Sequence, residues 1–445
     1  MHLPLVAICL AVLGSSALLS ALSHQPSTPA WVTGLTLGVT GLAWMALAHR
    51  LRLGEVSLAL AVGVGLVMRL MYFGSEPILE IDFFRYLWDG AAVNAGLNPF
   101  AVSPDEAMSG RAGPDWTALV AQSGGVADAI SYGKLATIYP PVAQAAFWLA
   151  YQIDPWGITG LRIVFLAAEL AGIGLLALLL KELGHAPSWI AIYWWNPLVA
   201  KEIINSAHMD ALLLPALAGA LLLAVKARPI LAGVALAFAA GVKIWPLVLA
   251  PILIWQGRAR VWISAGIVLV GVTALIAVPM VLGRLDNQSG LVAYAGWWER
   301  NHALFGAVRE GLAFSLYKAD MLHIDPNRLV RLIIGFVLGV TAIILGWRIK
   351  DRTRIPAAAL TVAALLLLLS PTAYPWYYVW VLPFLCIIPV RGLLLLGALM
   401  PFYYLRFDME RWGNAALFDQ YIVWIEFGPV LALLAYDWIR RSKPA

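Results

Sequence analysis

The sequence predicts an all-α, polytopic integral membrane protein, and three observations carry that prediction. Hydrophobic residues fill 62% of the 445 positions and charged residues only 12%, with a mean hydropathy of +0.82, far from the balance of a soluble domain. Apolar runs long enough to cross a bilayer recur along the whole chain. Basic residues, which set the net charge of +5, collect in clusters between those runs, the asymmetry that orients membrane proteins. A charge of that origin calls for no nucleic-acid partner. Cys9 and Cys386, both inside apolar runs, supply neither metal-ligand spacing nor a disulfide framework.

Taken in order, residues 3–22 form a first helix, and with no Lys or Arg ahead of them they make a poor signal peptide. The run 31–48 forms a second and ends in His49, Arg50 and Arg52. Further basic clusters at Lys181, Lys226 with Arg228, Arg258 with Arg260, Arg348–Arg354 and Arg440–Lys443 are placed in the cytoplasm. An even number of crossings must then separate consecutive clusters. Runs 187–203 and 208–225 make one pair, 261–282 and 328–347 a second, 355–373 and 374–390 a third, and 392–407 with 420–438 complete the chain. The stretch 229–257 is too long for one helix and breaks at Lys243-Ile-Trp-Pro246 into two short spans. Three runs, 55–73, 136–152 and 159–180, lie between Arg52 and Lys181. Parity assigns 136–152, opened by Tyr139-Pro140-Pro141, as a re-entrant or surface segment. The result is a single membrane domain over 1–445 with about 12–14 transmembrane helices. It divides into an N-terminal helix pair 1–54, a core 55–260, and C-terminal helices 261–445 with a non-cytoplasmic loop 283–327.

Under this topology the polar clusters share the non-cytoplasmic side: Glu80 with Asp82, Asn196 to Asp210, Lys243, Trp297 to His302, and Tyr374 to Tyr378. The loop 74–135 carries eight acids against three bases, and a loop of that length is usually functional. Within it, Glu80–Phe100 reads EIDFFRYLWDGAAVNAGLNPF. If Asp82 caps a helix there, Asp82, Arg85, Tyr86 and Asp89 share a polar face, with Phe83, Phe84, Leu87 and Trp88 opposite. That is the pattern of a helix lying on a membrane surface.

Each cluster has a chemical and a structural reading. Asp82 is either a general base toward a hydroxyl nucleophile or a helix cap paired with Arg85. Glu80 beside it would raise its pKa or join it on a metal ion. Asp210, in His208-Met209-Asp210, either caps the run behind it or belongs to a functional pair at membrane depth. Lys243 is the sole charge in 229–257; it reaches an anionic headgroup or snorkels to lipid phosphate. The rings of 297–298 and 374–380 suit an aromatic belt, whereas Arg300 and His302 suit neutralisation of a leaving phosphate.

These segments resemble the GT-C class of glycosyltransferases, integral-membrane enzymes that take sugar from a polyprenyl-phosphate donor. More closely, they resemble the catalytic subunit of the mannosyltransferase that adds the first mannose in GPI-anchor assembly, and related bacterial mannosyltransferases. EIDFFRYLWDGAAVNAGLNPF corresponds to that family's acid-x-acid loop and Gly-x-x-Pro-aromatic turn, and IYPPVAQ to its Tyr-x-Pro motif. NPLVAKEIINSAHMDALLLP corresponds to its Asn-Pro and polar-x-Asp helix start, and GVKIWPLVLAPI to its Lys-x-x-Pro segment. The resemblance covers most of the chain after residue 55, and 1–54 receives no role. It implies a GT-C-like helical bundle with a catalytic loop at 74–135 and transfer of a hexose, leaning toward mannose. The acceptor is a hydroxyl of a lipid or glycan. Asp82 takes the hydroxyl proton with Glu80 assisting, and the lipid phosphate leaves with inversion at the non-cytoplasmic face, of the inner membrane if the protein is bacterial. Lys243, Arg300 and His302 are assigned to the phosphate, and His208, Asp210 and Arg85 to the donor sugar or phosphate. Glu80 stands where the GPI enzymes carry Asp, so a divalent cation is left open. A lipid-linked-sugar transporter or flippase competes, but its paired halves are not visible, and a third reading, a scaffold subunit, makes the carboxylates structural.

Overall fold

The computed structural model describes residues 3–442. Lys443, the end of the last basic cluster, lies outside the described residues. Among those residues there is no strand, only two isolated bridges, Ala136 to Ser289 and Arg300 to Thr372. The chain is an all-α polytopic membrane protein, with seven helices long and apolar enough to cross a membrane and one further pair bent by 104°.

Twelve helices frame the molecule: α1 (Leu5–Leu22), α2 (Ala30–Met45), α3 (Leu58–Leu70), α4 (Phe83–Asn94), α5 (Pro141–Ile153), α6 (Ile158–Glu182), α7 (Leu213–Val225), α8 (Pro229–Val242), α9 (Ala259–Val281), α10 (Pro326–Arg348), α11 (Ile355–Leu369) and α12 (Val423–Ser442). Prolines open α5, α8 and α10 at positions where the missing amide costs nothing. Asp325 and Ser57 cap α10 and α3 through their side chains.

Fewer spans are continuous than the twelve to fourteen expected, because several apolar runs are interrupted. Pro187 and Pro197 divide the run 187–203 into short turns that end in a π-helical turn, Lys201–Asn205. The run 374–390 becomes a 3-10 turn, Pro375–Trp380, and one short helix, Leu382–Leu385. The stretch 229–257 breaks at Lys243, as the sequence predicts. The 13 residues of α5 reach about 20 Å, as do those of α3 and α7.

The helices run between two ends of different character. α6, α7 and α8 each join a basic turn, at Lys181, Lys226 or Arg228, to a polar segment near Arg162, Asp210 or Lys243. At the basic end Lys226 pairs with Glu182 at 3.3 Å. At the other end the loops are stitched together: Ala136 N–H donates to Gln288 O at 2.9 Å and Arg284 N–H to Phe100 O at 3.0 Å, and the Arg284 guanidinium meets Glu106 at 2.7 Å. The N-terminal pair is packed into this body. α2 lies against Arg391–Leu399, and Asp408 accepts from the amides of Ala30 (3.1 Å) and Trp31 (2.7 Å) at its start.

α4 departs from the surface helix the sequence predicts. Arg85, Tyr86, Leu87, Trp88 and Asp89 are all buried, and α4 packs along α5 rather than presenting acids to water. Asp89 accepts from Thr137 Oγ1 (2.5 Å) and Gln144 Nε2 (2.9 Å), and Tyr86 stacks on Phe147 at 4.6 Å. A polar helical face looks the same in sequence whether water or another helix satisfies it. The approach is close enough that a Cβ on Gly90 would collide with the Phe147 carbonyl. Gly90→Val should therefore destabilise the protein by roughly 1–3 kcal/mol or more, seen as a lower Tm in detergent; an unchanged Tm would mean that α4 and α5 do not pack this way.

Candidate active site

The stitched loops roof a cavity of about 470 Å³. Glu80, Asp82, Arg85, Asp210, Lys243 and Arg300 all line it, among the rings of Tyr139, Tyr294, Tyr374, Trp376, Tyr377 and Trp380. Residues spread over more than two hundred positions of sequence thus converge. His208 sits directly behind the wall, its ring stacked on Trp376 at 3.9 Å. His302 lies outside the lining and faces Glu299, 3.1 Å away.

Asp82 occupies the position before α4, yet its side chain accepts no helix amide. The expected ion pair with Arg85 is also absent, because Arg85 donates to Leu135 O (2.7 Å) instead. Neither a helix cap nor an Arg85 pair therefore accounts for the Asp82 carboxylate. Its carboxylate keeps 34% of its surface exposed, and Oδ2 lies 4.0 Å from His208 Nδ1. Although that surface faces the cavity, withdrawal from bulk water pushes the Asp82 pKa upward; His208 and Lys243 pull it down and Asp210 adds to the rise. The Glu80 expected to raise it is itself only 8% exposed, with Oε1 unpartnered. Burial, then the charge of Glu202, holds its carboxyl well above the usual range. Among the described residues no group of three or more His, Cys, Asp and Glu is arranged to hold a metal ion.

The Lys243 ammonium, released by the break after α8, pairs with Asp210 Oδ1 at 2.8 Å and lies over the rings of Tyr377 (4.3 Å) and Trp380 (5.1 Å). Asp210 also accepts from Trp380 Nε1 at 2.8 Å. Arg300 stands among the phenols of Tyr374, Tyr403 and Tyr132, a guanidinium suited to an anionic oxygen.

Sequence reasoning missed Lys201 and Glu202. Their side chains are fully buried in the π turn and joined at 3.1 Å, with Lys201 also donating to Tyr404 OH at 3.1 Å. Adjacent opposite charges inside an apolar run were the available signal.

A multi-pass helical fold whose polar side chains close on an acid-bearing, aromatic-walled cavity suits an enzyme embedded in the membrane. The chain belongs to the MptA_B family: the family model described as alpha-(1->6)-mannopyranosyltransferase, N-terminal domain, matches residues 7–262. It is 25% identical over 373 residues to alpha-(1->6)-mannopyranosyltransferase A of Mycobacterium tuberculosis, covering 77% of this chain and 68% of that protein. No solved structure matches the chain. The mannosyltransferase resemblance drawn from the sequence is borne out, and the protein is a glycosyltransferase of the membrane. The family match begins in α1, and so takes in the helix pair left without a role.

Replacing one member of the buried pair isolates the other. Lys201→Met should cost about 3–5 kcal/mol by leaving Glu202 uncompensated, whereas K201M/E202Q should recover most of that loss. Chemical unfolding in detergent compares the two, and equal losses would contradict a paired buried charge.

Proposed function

We propose that the protein transfers a mannosyl group from polyprenyl-phosphate-mannose to a hydroxyl of a lipid or glycan acceptor, with inversion, at the non-cytoplasmic face of the membrane. The names of the family and of the mycobacterial relative support an α-(1→6) bond, hence a 6-hydroxyl of the acceptor as nucleophile. The basic clusters gathered at the far end of α6, α7 and α8 support that side of the membrane.

The observation that carries the reading is the Asp82 carboxylate, spared from capping α4 and turned into the cavity that Lys243 and Arg300 also line. Asp82 accepts the proton of the acceptor hydroxyl as its oxygen attacks the anomeric carbon. The bond from that carbon to the phosphate oxygen breaks, and polyprenyl phosphate leaves with the electron pair. Lys243 and Arg300 stabilise the negative charge that grows on the phosphate. Asp210 holds Lys243 in place, and the aromatic walls offer faces to the sugar. Glu80 assists from behind by keeping the loop's carboxyl pair from ionising together.

Asp82→Asn should abolish transfer of labelled mannose from polyprenyl-phosphate-mannose into membrane acceptors while donor binding is retained, compared at equal amounts of folded protein. Transfer equal to that of the natural protein would remove Asp82 as the base. The raised pKa adds a pH signature. Asp82 stays protonated, and inactive as a base, to a higher pH than an ordinary Asp near about 3.9. The acidic limb of kcat/KM should therefore lie above that value, with transfer falling as pH drops through it; a limb at or below it would contradict the assignment.

A further inference from the structure

The π turn places a second carboxylate behind the one that faces the cavity. The His208 amide donates back to Glu202 O at 3.0 Å, with Ala207 between them at φ +54°, so the turn folds the two side chains onto each other. His208 Nε2 then lies 3.1 Å from Glu202 Oε2, within ion-pair reach. Its other nitrogen, Nδ1, faces Asp82 Oδ2 at 4.0 Å. Trp376 fixes the plane of the ring by stacking but not its rotation within that plane. The Glu202 carboxylate, at ion-pair distance from Nε2 but off hydrogen-bond geometry, is the charged group placed to do that, and is itself anchored by Lys201 Nζ on its Oε1, with Tyr404 OH bracing Lys201 from the far side. All these side chains except Asp82 and Trp376 are completely buried.

We propose that Glu202 is a positioning residue for transfer: held by Lys201, it sets the rotation of the His208 ring so that Nδ1 is directed at the Asp82 carboxylate and steadies the base. This rests on the reading of Asp82 as base and extends it to residues that touch no substrate. The role requires the ring to carry a proton on each nitrogen, Nε2–H toward Glu202 and Nδ1–H toward Asp82; the Nδ1–H is then shared with Asp82 Oδ2 when the carboxylate closes the remaining gap, leaving the other carboxylate oxygen for the acceptor hydroxyl. No group is consumed, and the proton taken from the acceptor leaves through the cavity.

The test is a double-mutant cycle on the full-length protein in detergent or nanodiscs, with polyprenyl-phosphate-mannose as donor and octyl α-(1→6)-dimannoside as acceptor. Glu202→Gln should lower kcat by roughly 10- to 100-fold, the cost of a misplaced catalytic group, with donor KM within about twofold of its original value. In a His208→Asn background the same change should cost less than about twofold, because the route through the ring is already cut. An equal loss in both backgrounds, or no loss in either, overturns the proposal. Should E202Q alone fail to fold, K201M/E202Q, which leaves no lone buried charge, carries the same comparison. Asp82→Asn separates the two readings. If it transfers normally, the base assignment itself is wrong; if it is inactive while E202Q is unaffected, only the positioning role is lost.

Discussion

Arg162 supplies the interaction on which the rest of this structure depends. The bent span between Pro197 and Val225 interrupts a helix at membrane depth, where backbone carbonyls without partners are expensive. The guanidinium of Arg162, on α6, donates to the carbonyls of Ile204 (2.7 Å), Phe73, Ser75 and Asn205 (each 2.8 Å). One side chain thus closes both the break in the span and the start of the acidic loop. Asn205 reinforces the joint through Ser75, Glu76 and Ile78. Because the loop is pinned to the bend, Asp82 meets His208.

Arg69, Lys201 and Lys243 bear carboxylate partners, the first two buried and the third half-buried, and their environments sort their roles. Arg69 and Glu169 form a bidentate pair at 2.7 and 2.8 Å, with the Trp194 ring 3.4 Å from the guanidinium and Tyr193 OH on the carboxylate. Every direction is filled, so this pair locks α3 to α6 and has nothing left for a ligand. Lys201 and Glu202 are equally buried, but the second oxygen of Glu202 faces His208 at 3.1 Å. Lys243 alone keeps some of its side chain exposed to the cavity, so it can exchange part of its bond to Asp210 for an anionic oxygen. Buried pairs contribute little net stability; here their arrangement specifies where the cavity can accept charge.

Much of the organisation was legible along the chain. The break at Lys243 was readable because a proline and a lone charge coincide in an apolar run, and the importance of 74–135 because acids outnumber bases there. Four of the segments quoted for the family resemblance do contribute to the cavity or its frame. What misled was periodicity in α4. Asp82, Arg85, Tyr86 and Asp89 lie on one helical face, but Thr137 and Gln144 from elsewhere donate to one oxygen of Asp89, and Arg85 donates through one nitrogen to loop carbonyls. Lys201 and Glu202 escaped notice because adjacent charges in a run that otherwise reads as a span carry no motif of their own.

The sequence by itself determined the membrane class, the alternation of basic and polar loops, and a short set of acids and cations too costly to be accidental in such apolar surroundings. Those properties follow from composition and local spacing, which the bilayer reads directly. Tertiary structure alone decided which of those charges meet. Asp82 is freed from its helix by the path of its own loop, His302 is turned toward Glu299, and Arg85 donates through one nitrogen to loop carbonyls while its other terminal nitrogen stays unpartnered at the cavity. Partners for a buried polar group come from whichever segment packs against it, and that depends on long-range packing, which local spacing does not encode.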